Sequence, residues 1–236
     1  MADKLSITWL GHASFKIDTP GGKTLYLDPW LGENPSCPQD QKKVEKCDLI
    51  LLTHGHFDHV GDVIPLAKTH KSPIVAQNEV ATWLGGKGVG KASGMNKGGT
   101  QEVLGIKFTM THAQHSSSAV ENGGNVYLGE AAGYVVEFEN GVRVYIAGDT
   151  SVFGDMKIIG ELYRPTIGIL PIGSHFTMDP REAAYACRLL GIQTAIPCHY
   201  GTFPLLTGTP ETLRKETRGI ANFEVVEFQP GETKSF

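Results

Sequence analysis

Apolar residues along this chain come in short runs, and several of those runs end in a histidine or an aspartate. Residues 49–52 (LILL) are apolar without a break, too few for a full helix, and preceded by Lys46-Cys47-Asp48. A buried strand is what such a run predicts. His54, His56, Asp58 and His59 follow it at once, and Val60, Val63, Ile64 and Ala67 then suit a helix to about His70. Three more runs behave alike. Residues 142–147 (VRVYIA) lead into Gly148-Asp149, residues 166–171 (TIGILP) open onto Ser174-His175, and residues 194–198 (TAIPC) end in His199. His115 follows strand-like residues 100–111. Polar groups at the ends of several strands gather on one edge of a sheet system, where a rigid scaffold can hold chemistry carried by loops.

The rest of the pattern fills in around these runs. Residues 5–17 read as strand material interrupted at Gly11-His12, and the turn at residues 20–23 (PGGK) predicts a hairpin into residues 24–27. Residues 32–46 are polar and hold two prolines, the mark of a surface loop. Residues 72–76 predict a strand, with Asn78 as cap of a helix over 79–84. Residues 125–138 and 142–147 flank Glu139-Asn140-Gly141, a hairpin signal. A helix is expected near 155–163. A second starts at Asp179, with Pro180 in its first turn, Glu182 completing a capping box and Gly191 ending it. Thr209-Pro210-Glu211 starts a last helix, and residues 223–228 read as a last strand.

Composition narrows the class. With 40% hydrophobic and 19% charged residues, the chain reads as an ordinary folded globule, and no repeat or linker divides residues 1–236, so one domain is expected. A net charge of -4 gives no basic footprint for nucleic acid. No apolar stretch approaches the ~20 residues that span a bilayer, and the polar N-terminus has no signal-peptide core. The four cysteines lack CxxC spacing, which points to a reduced, cytoplasmic setting.

Three imidazoles and a carboxylate between His54 and His59 are the nitrogen and oxygen donors that divalent zinc, iron, manganese or nickel take. In extended backbone His54 and His56 leave the same side, while Asp58-His59 falls on a turn or helix start. A competing motif dissolves on inspection. Gly85 and Gly90-Lys91 have the spacing of a phosphate-binding loop, but Ala92 offers no hydroxyl, and neither a preceding strand nor a following helix is present.

The sequence His54-x-His56-x-Asp58-His59 after a buried strand resembles the metallo-β-lactamase superfamily, and the resemblance runs from residue 5 to about 205. Segments WLGHASF, LDPW, QHSSS, AGDTSVF, LPIGSHFTMDP and IPCHYGTFP are similar to the bacterial UPF0173 metal-dependent hydrolases, relatives of the ascorbate-6-phosphate lactonase group. The resemblance implies an α+β four-layer αβ/βα sandwich, two mixed sheets face to face with helices outside. It implies two divalent ions per chain, zinc or manganese first, with nickel or iron as alternatives. His54, His56 and His115 would hold one ion, Asp58, His59 and His199 the other, and Asp149 would bridge. A metal-bridging hydroxide would then cleave an ester-like bond, a lactone or a phosphodiester, in a small-molecule substrate. Asp28 would orient a ligand imidazole. His12 and His175 compete for the role of proton donor, with His175 preferred, and His112 competes with His115, which the HSSS context favours. Neither a nucleic-acid nor a membrane partner is expected, and relatives of this type assemble as homo-oligomers. Two other activities on the same fold compete: a mononuclear iron dioxygenase and a nuclease.

Overall fold

The computed structural model describes residues 4–236; the start of the N-terminus, read above as free of a signal-peptide core, lies outside the described residues. The first sheet is built from β1 (Ser6–Trp9), β2 (Phe15–Asp18), β3 (Thr24–Leu27), β4 (Leu49–Leu51), β5 (Ile74–Gln77) and β6 (Ala92–Met95). Strands β1 to β3 run antiparallel, through the expected hairpin, and β3 to β6 run parallel. The second sheet takes β7 (Thr100–Val103) and β8 (Ile106–His112), skips a separate two-stranded ribbon of β9 (Ser118–Glu121) and β10 (Gly124–Tyr127), and continues with β11 (Ala132–Glu137), β12 (Arg143–Ile146), β13 (Ile167–Pro171), β14 (Thr194–Cys198) and β15 (Glu224–Val225). Strands β7, β8, β11 and β12 are antiparallel, while β12 to β15 are parallel. Strand β16 (Thr233–Ser235) returns to pair antiparallel with β1.

Both sheets are therefore mixed, and three apolar layers separate four structural ones. Along β4 the side chains alternate: Leu49 and Leu51 enter the core between the sheets, Ile50 and Leu52 the core outside the first sheet. The period of two along a strand makes this partition automatic, and it explains why a doubly covered strand reads as an unbroken apolar run. Helices α1 (Phe57–Val60), α2 (Val63–His70) and α3 (Asn78–Gly86) follow β4 and β5, and α2 and α3 cover the outer face through Val63, Ala67, Val80 and Leu84. Helices α4 (Met156–Tyr163), α5 (Pro180–Leu190) and α6 (Pro210–Glu216) cover the second sheet through Met156, Ala183, Leu190 and Leu213. The chain has the four-layer αβ/βα sandwich of the metallo-β-lactamase fold.

Departures from the expected elements have local causes. Helix α3 is capped by Gln77, whose side chain accepts from the amides of Glu79 and Val80, so Asn78 lies inside the helix. Strand material expected over 125–138 breaks at residues 128–131, and the last strand shrinks to the two residues of β15. The capping box at Asp179 and Glu182 forms as expected, and Gly191 closes α5 at φ 65°.

Candidate metal centre

Four strand ends deliver the side chains, and short bonds between the two sheets fix their relative height. Tyr134 of β11 donates its hydroxyl to the Leu52 carbonyl at 2.8 Å, and the Ala132 amide donates to the Thr53 carbonyl at 3.0 Å. The Gly55 amide donates to Ser117 Oγ at 3.1 Å, and the His199 amide to the His12 carbonyl at 2.9 Å. His54 and His56 leave the end of β4, Asp58 and His59 sit in the single turn of α1, Asp149 follows β12 and His199 follows β14. Several of these turns need unusual backbone. His12, Asp28, Ser174 and His199 all hold left-handed φ, at 56°, 43°, 78° and 53°. Non-glycine residues pay steric strain there, of order 1–3 kcal/mol each, and persist only where the surroundings over-determine them.

The donors converge on Asp149. Its Oδ2 lies 3.1 Å from His199 Nε2, 3.6 Å from His115 Nε2 and 3.9 Å from His54 Nε2, while Oδ1 lies 3.4 Å from His59 Nε2. On one side, His54, His56 and His115 bring ring nitrogens within 4.8 Å of one another; on the other, Asp58, His59 and His199 do so together with His12. Asp58 Oδ2 is 3.5 Å from His199 Nε2 and 3.8 Å from His59 Nε2.

Buried partners set which ring nitrogens face inward. Asp28 takes the Thr53 amide at Oδ1 (2.8 Å) and the Thr53 hydroxyl at Oδ2 (2.6 Å). Having given its proton to Asp28, the Thr53 hydroxyl can only accept at its 3.0 Å contact with His54 Nδ1. His54 is thereby the Nδ1–H tautomer, with a lone pair at Nε2. The same Asp28 Oδ2 accepts from His59 Nδ1 at 2.8 Å, leaving His59 Nε2 turned to the centre. One carboxylate thus orients an imidazole on each side, the support that ligating histidines usually have.

The residues fit divalent ions. His59 Nε2 and Asp149 Oδ1 are buried at the middle of the cluster and face each other at 3.4 Å without a well-formed hydrogen bond to any other group, an under-satisfied arrangement that an ion between the donors would complete. Burial, and then the neighbouring imidazoles, push the pKa of His54 well below the ordinary range, and His56 and His115 fall too, so all three present neutral nitrogens. Burial alone would lower His199 and His59 as well, but Asp149 and the other carboxylates outweigh it, raising His199 to about 9 and His59 well above 6.5. Those carboxylates gain in return: burial would raise Asp149 and Asp58, yet the facing histidines hold both below the usual carboxylate range.

A stability profile follows for protein stripped of metal. Raised histidine pKa values stabilise the fold fully below the unfolded value of 6.5, and that contribution is lost as pH rises through about 9. The lowered values of His54, His56 and His115 act below 6.5 and do not change across this window. The melting temperature of the stripped protein should therefore fall between pH 7 and 9, read by thermal melts at fixed ionic strength. A flat or rising profile would count against the arrangement of charges described here.

All seven expected ligands are brought together. His112 is not: at the end of β8 its Nδ1 lies 3.0 Å from Lys97 Nζ, and its ring packs edge-on against Phe153. His175 is exposed, with its ring against Phe176, and stands outside the cluster. His12 is more intimate with the centre than the sequence suggests. Fully buried, it places Nε2 2.9 Å from Asp58 Oδ2 and Nδ1 3.0 Å from Thr202 Oγ1, and its pKa falls to about 4, mainly through burial. No local signal marks a pair separated by 46 residues.

A cavity of about 600 Å³ opens over the centre, with His56, Asp58, His115, Ser116, Asp149 and His199 at its floor and Phe57, Phe176, Phe203, Pro204 and Leu205 around them.

Residues 23–200 match the family described as Beta-lactamase superfamily domain, the class that this fold and histidine–aspartate cluster define. The UPF0173 metal-dependent hydrolase of Koribacter versatilis is 52% identical over 231 residues, covering 98% of both chains. That of Roseiflexus sp. is 51% identical over 236 residues, covering 98% of this chain and 97% of the relative. Among solved structures, Igni18, a metallo hydrolase from Ignicoccus hospitalis, superposes with a TM-score of 0.88 at 32% identity, covering 99% of this chain and 98% of the other. The chain belongs to the UPF0173 metal-dependent hydrolases of the metallo-β-lactamase superfamily.

Proposed function

We propose that this metal-dependent hydrolase cleaves an ester-like bond, a lactone or a phosphodiester, in a small molecule at a two-ion centre. The observation that carries the reading is the position of Asp149, one carboxylate approached from both sides by separate donor sets. His54, His56 and His115 would hold one divalent ion, Asp58, His59 and His199 a second, and Asp149 would be shared. Zinc and manganese suit these nitrogen and oxygen donors first, nickel and iron after them. Bound there, the ions supply Lewis acidity and an acidified water, which is why no buried side chain need act as nucleophile.

The chain's own residues do the rest. Asp28 holds Nδ1 of His59 directly and that of His54 through Thr53, so both rings already turn Nε2 to the centre, and His59 has only to give up its Nε2 proton when an ion binds. His12, donating from Nε2, holds Asp58 Oδ2, the oxygen that also faces His199 and His59, and so fixes that carboxylate at the centre. Asp58 enters as a ligand and charge partner, and the reading assigns His175 no contact with the substrate.

The test separates the two histidines of the third motif. His115→Ala should lose bound metal and at least about a hundredfold in kcat/KM, whereas His112→Ala should keep its metal, since only His115 reaches the cluster. Metal analysis of both purified variants beside wild type decides the assignment. Retention of full metal by His115→Ala with loss in His112→Ala would overturn it.

A further inference from the structure

The wall above the metal-binding floor is apolar and carries no compensating cation. Phe57, Phe176, Phe203, Pro204 and Leu205 line it, and among the described residues no lysine or arginine does. Three of these side chains are left in water by the protein alone: Phe57 is 65% exposed, Phe176 52% and Leu205 53%. They arrive from three separate segments, at α1, after β13 and after β14, yet surround one opening. Exposed large apolar residues gathered at a pocket mouth mark a surface that something apolar covers.

The rim is also held in place. Trp30, itself buried, meets Phe57 edge-on at 5.7 Å between ring centroids and Phe203 at 6.0 Å. Gly61 packs against the Trp30 ring, where an added Cβ would approach to 2.7 Å. Two aromatics, one in α1 and one in the loop after β14, thus share one anchor, so little ordering remains for a ligand to impose.

We infer that the substrate is an uncharged carboxylic ester or lactone bearing an apolar chain or ring, seated against Phe57, Phe176, Phe203 and Leu205 with its carbonyl at the floor. The inference rests on the proposed hydrolytic centre and narrows it, because the apolar wall above the floor separates the two candidate bonds. A phosphodiester would carry a permanent negative charge up against the apolar wall, where among the described residues no lysine or arginine stands, so that charge would rest on the floor alone. A neutral ester brings none. Hydrolysis itself balances simply: water adds to the acyl carbon, the acyl–oxygen bond breaks, and the alcohol oxygen takes the proton that the water loses.

Two measurements on metal-loaded protein decide the matter. The first is kcat/KM across p-nitrophenyl acetate, butyrate, hexanoate and octanoate, with bis(p-nitrophenyl) phosphate alongside. Burial of each methylene should raise kcat/KM by about fourfold until the wall is filled, and Phe57→Ser and Leu205→Ser should flatten that slope while metal content holds. The second is binding of acetohydroxamate and octanohydroxamate by calorimetry, which needs no turnover. The longer compound should bind at least about tenfold tighter to wild type, and the advantage should shrink in both variants.

Equal rates along the ester series with equal hydroxamate affinities would overturn the inference, as would preference for the phosphodiester. A change of oligomeric state in Phe57→Ser, with slope and hydroxamate preference intact, would assign the rim to contact between copies and overturn it too. Absence of hydrolysis with a strong preference for octanohydroxamate would instead sink the ester-hydrolysing reading while supporting the apolar ligand.

Discussion

Asp149→Ala is expected to strip the centre rather than weaken it. Bound metal should drop from about two ions per chain to below one, and kcat/KM should fall by at least about a thousandfold. Asp149 supplies negative charge within 4 Å of His54, His59, His115 and His199 together. Removing it leaves both donor sets without the carboxylate they share. Single replacement of Asp58, His59 or His199 should behave differently, lowering bound metal from about two towards one, because the three imidazoles on the other side keep Asp149 beside them and together still hold an ion. Metal analysis of purified variants separates these outcomes. Wild type that saturates at one ion under excess metal would sink the two-ion reading, and iron with oxygen consumption would then favour an oxygenase.

Gly173→Ala should be severely damaging although it touches no polar side chain. A Cβ there would lie 2.1 Å from the His199 carbonyl oxygen, and that backbone is tied by its amide to His12. Neither side can yield cheaply, because His199 already sits at φ 53°. A loss of about 3 kcal/mol or more in urea unfolding is expected, with bound metal reduced as well. Gly154→Ala is the control: nothing lies within 4 Å of its Cβ, and stability should stay within about 0.5 kcal/mol. Equal stability of the two variants would show that the backbone gives way more easily than the packing implies.

What was legible in the chain was whatever depends on near neighbours. Residues 49–52 announce a doubly covered strand because each side chain has an apolar layer to enter, and Asp179, Pro180 and Glu182 spell out a helix start within four residues. The ligand set was legible because His54, Asp149 and His199 stand just past apolar runs, and the resemblance to the metallo-β-lactamase superfamily joined them to His56, Asp58, His59 and His115. Strand β16, with the sequence Thr-Lys-Ser, was not, since an edge strand needs backbone partners rather than apolar side chains. Residues 223–228 promised more strand than they deliver because paired register with β14 covers only Glu224 and Val225, and the last bond to it comes from the Val226 amide. The hold of His12 on Asp58, and the shared orientation of His54 and His59 by Asp28, join residues far apart in sequence. The apolar rim was equally silent, its members coming from α1, the loop after β13 and the loop after β14.

The four left-handed residues around the floor have a consequence for how this protein can change. His12, Asp28, Ser174 and His199 each hold a backbone shape that glycine would adopt more easily, so the floor is already the least stable way to build those turns. Little tolerance is left there for further loss. Phe57, Phe176 and Leu205 stand at the opposite extreme: ordinary backbone, half or more in water, and little packing to forfeit. Mutational drift is therefore channelled. New substrate preferences can be sampled at the mouth at almost no cost in folding, while the ion-binding end stays fixed. Across descendants of this chain, the chemistry should be inherited and the choice of substrate should wander.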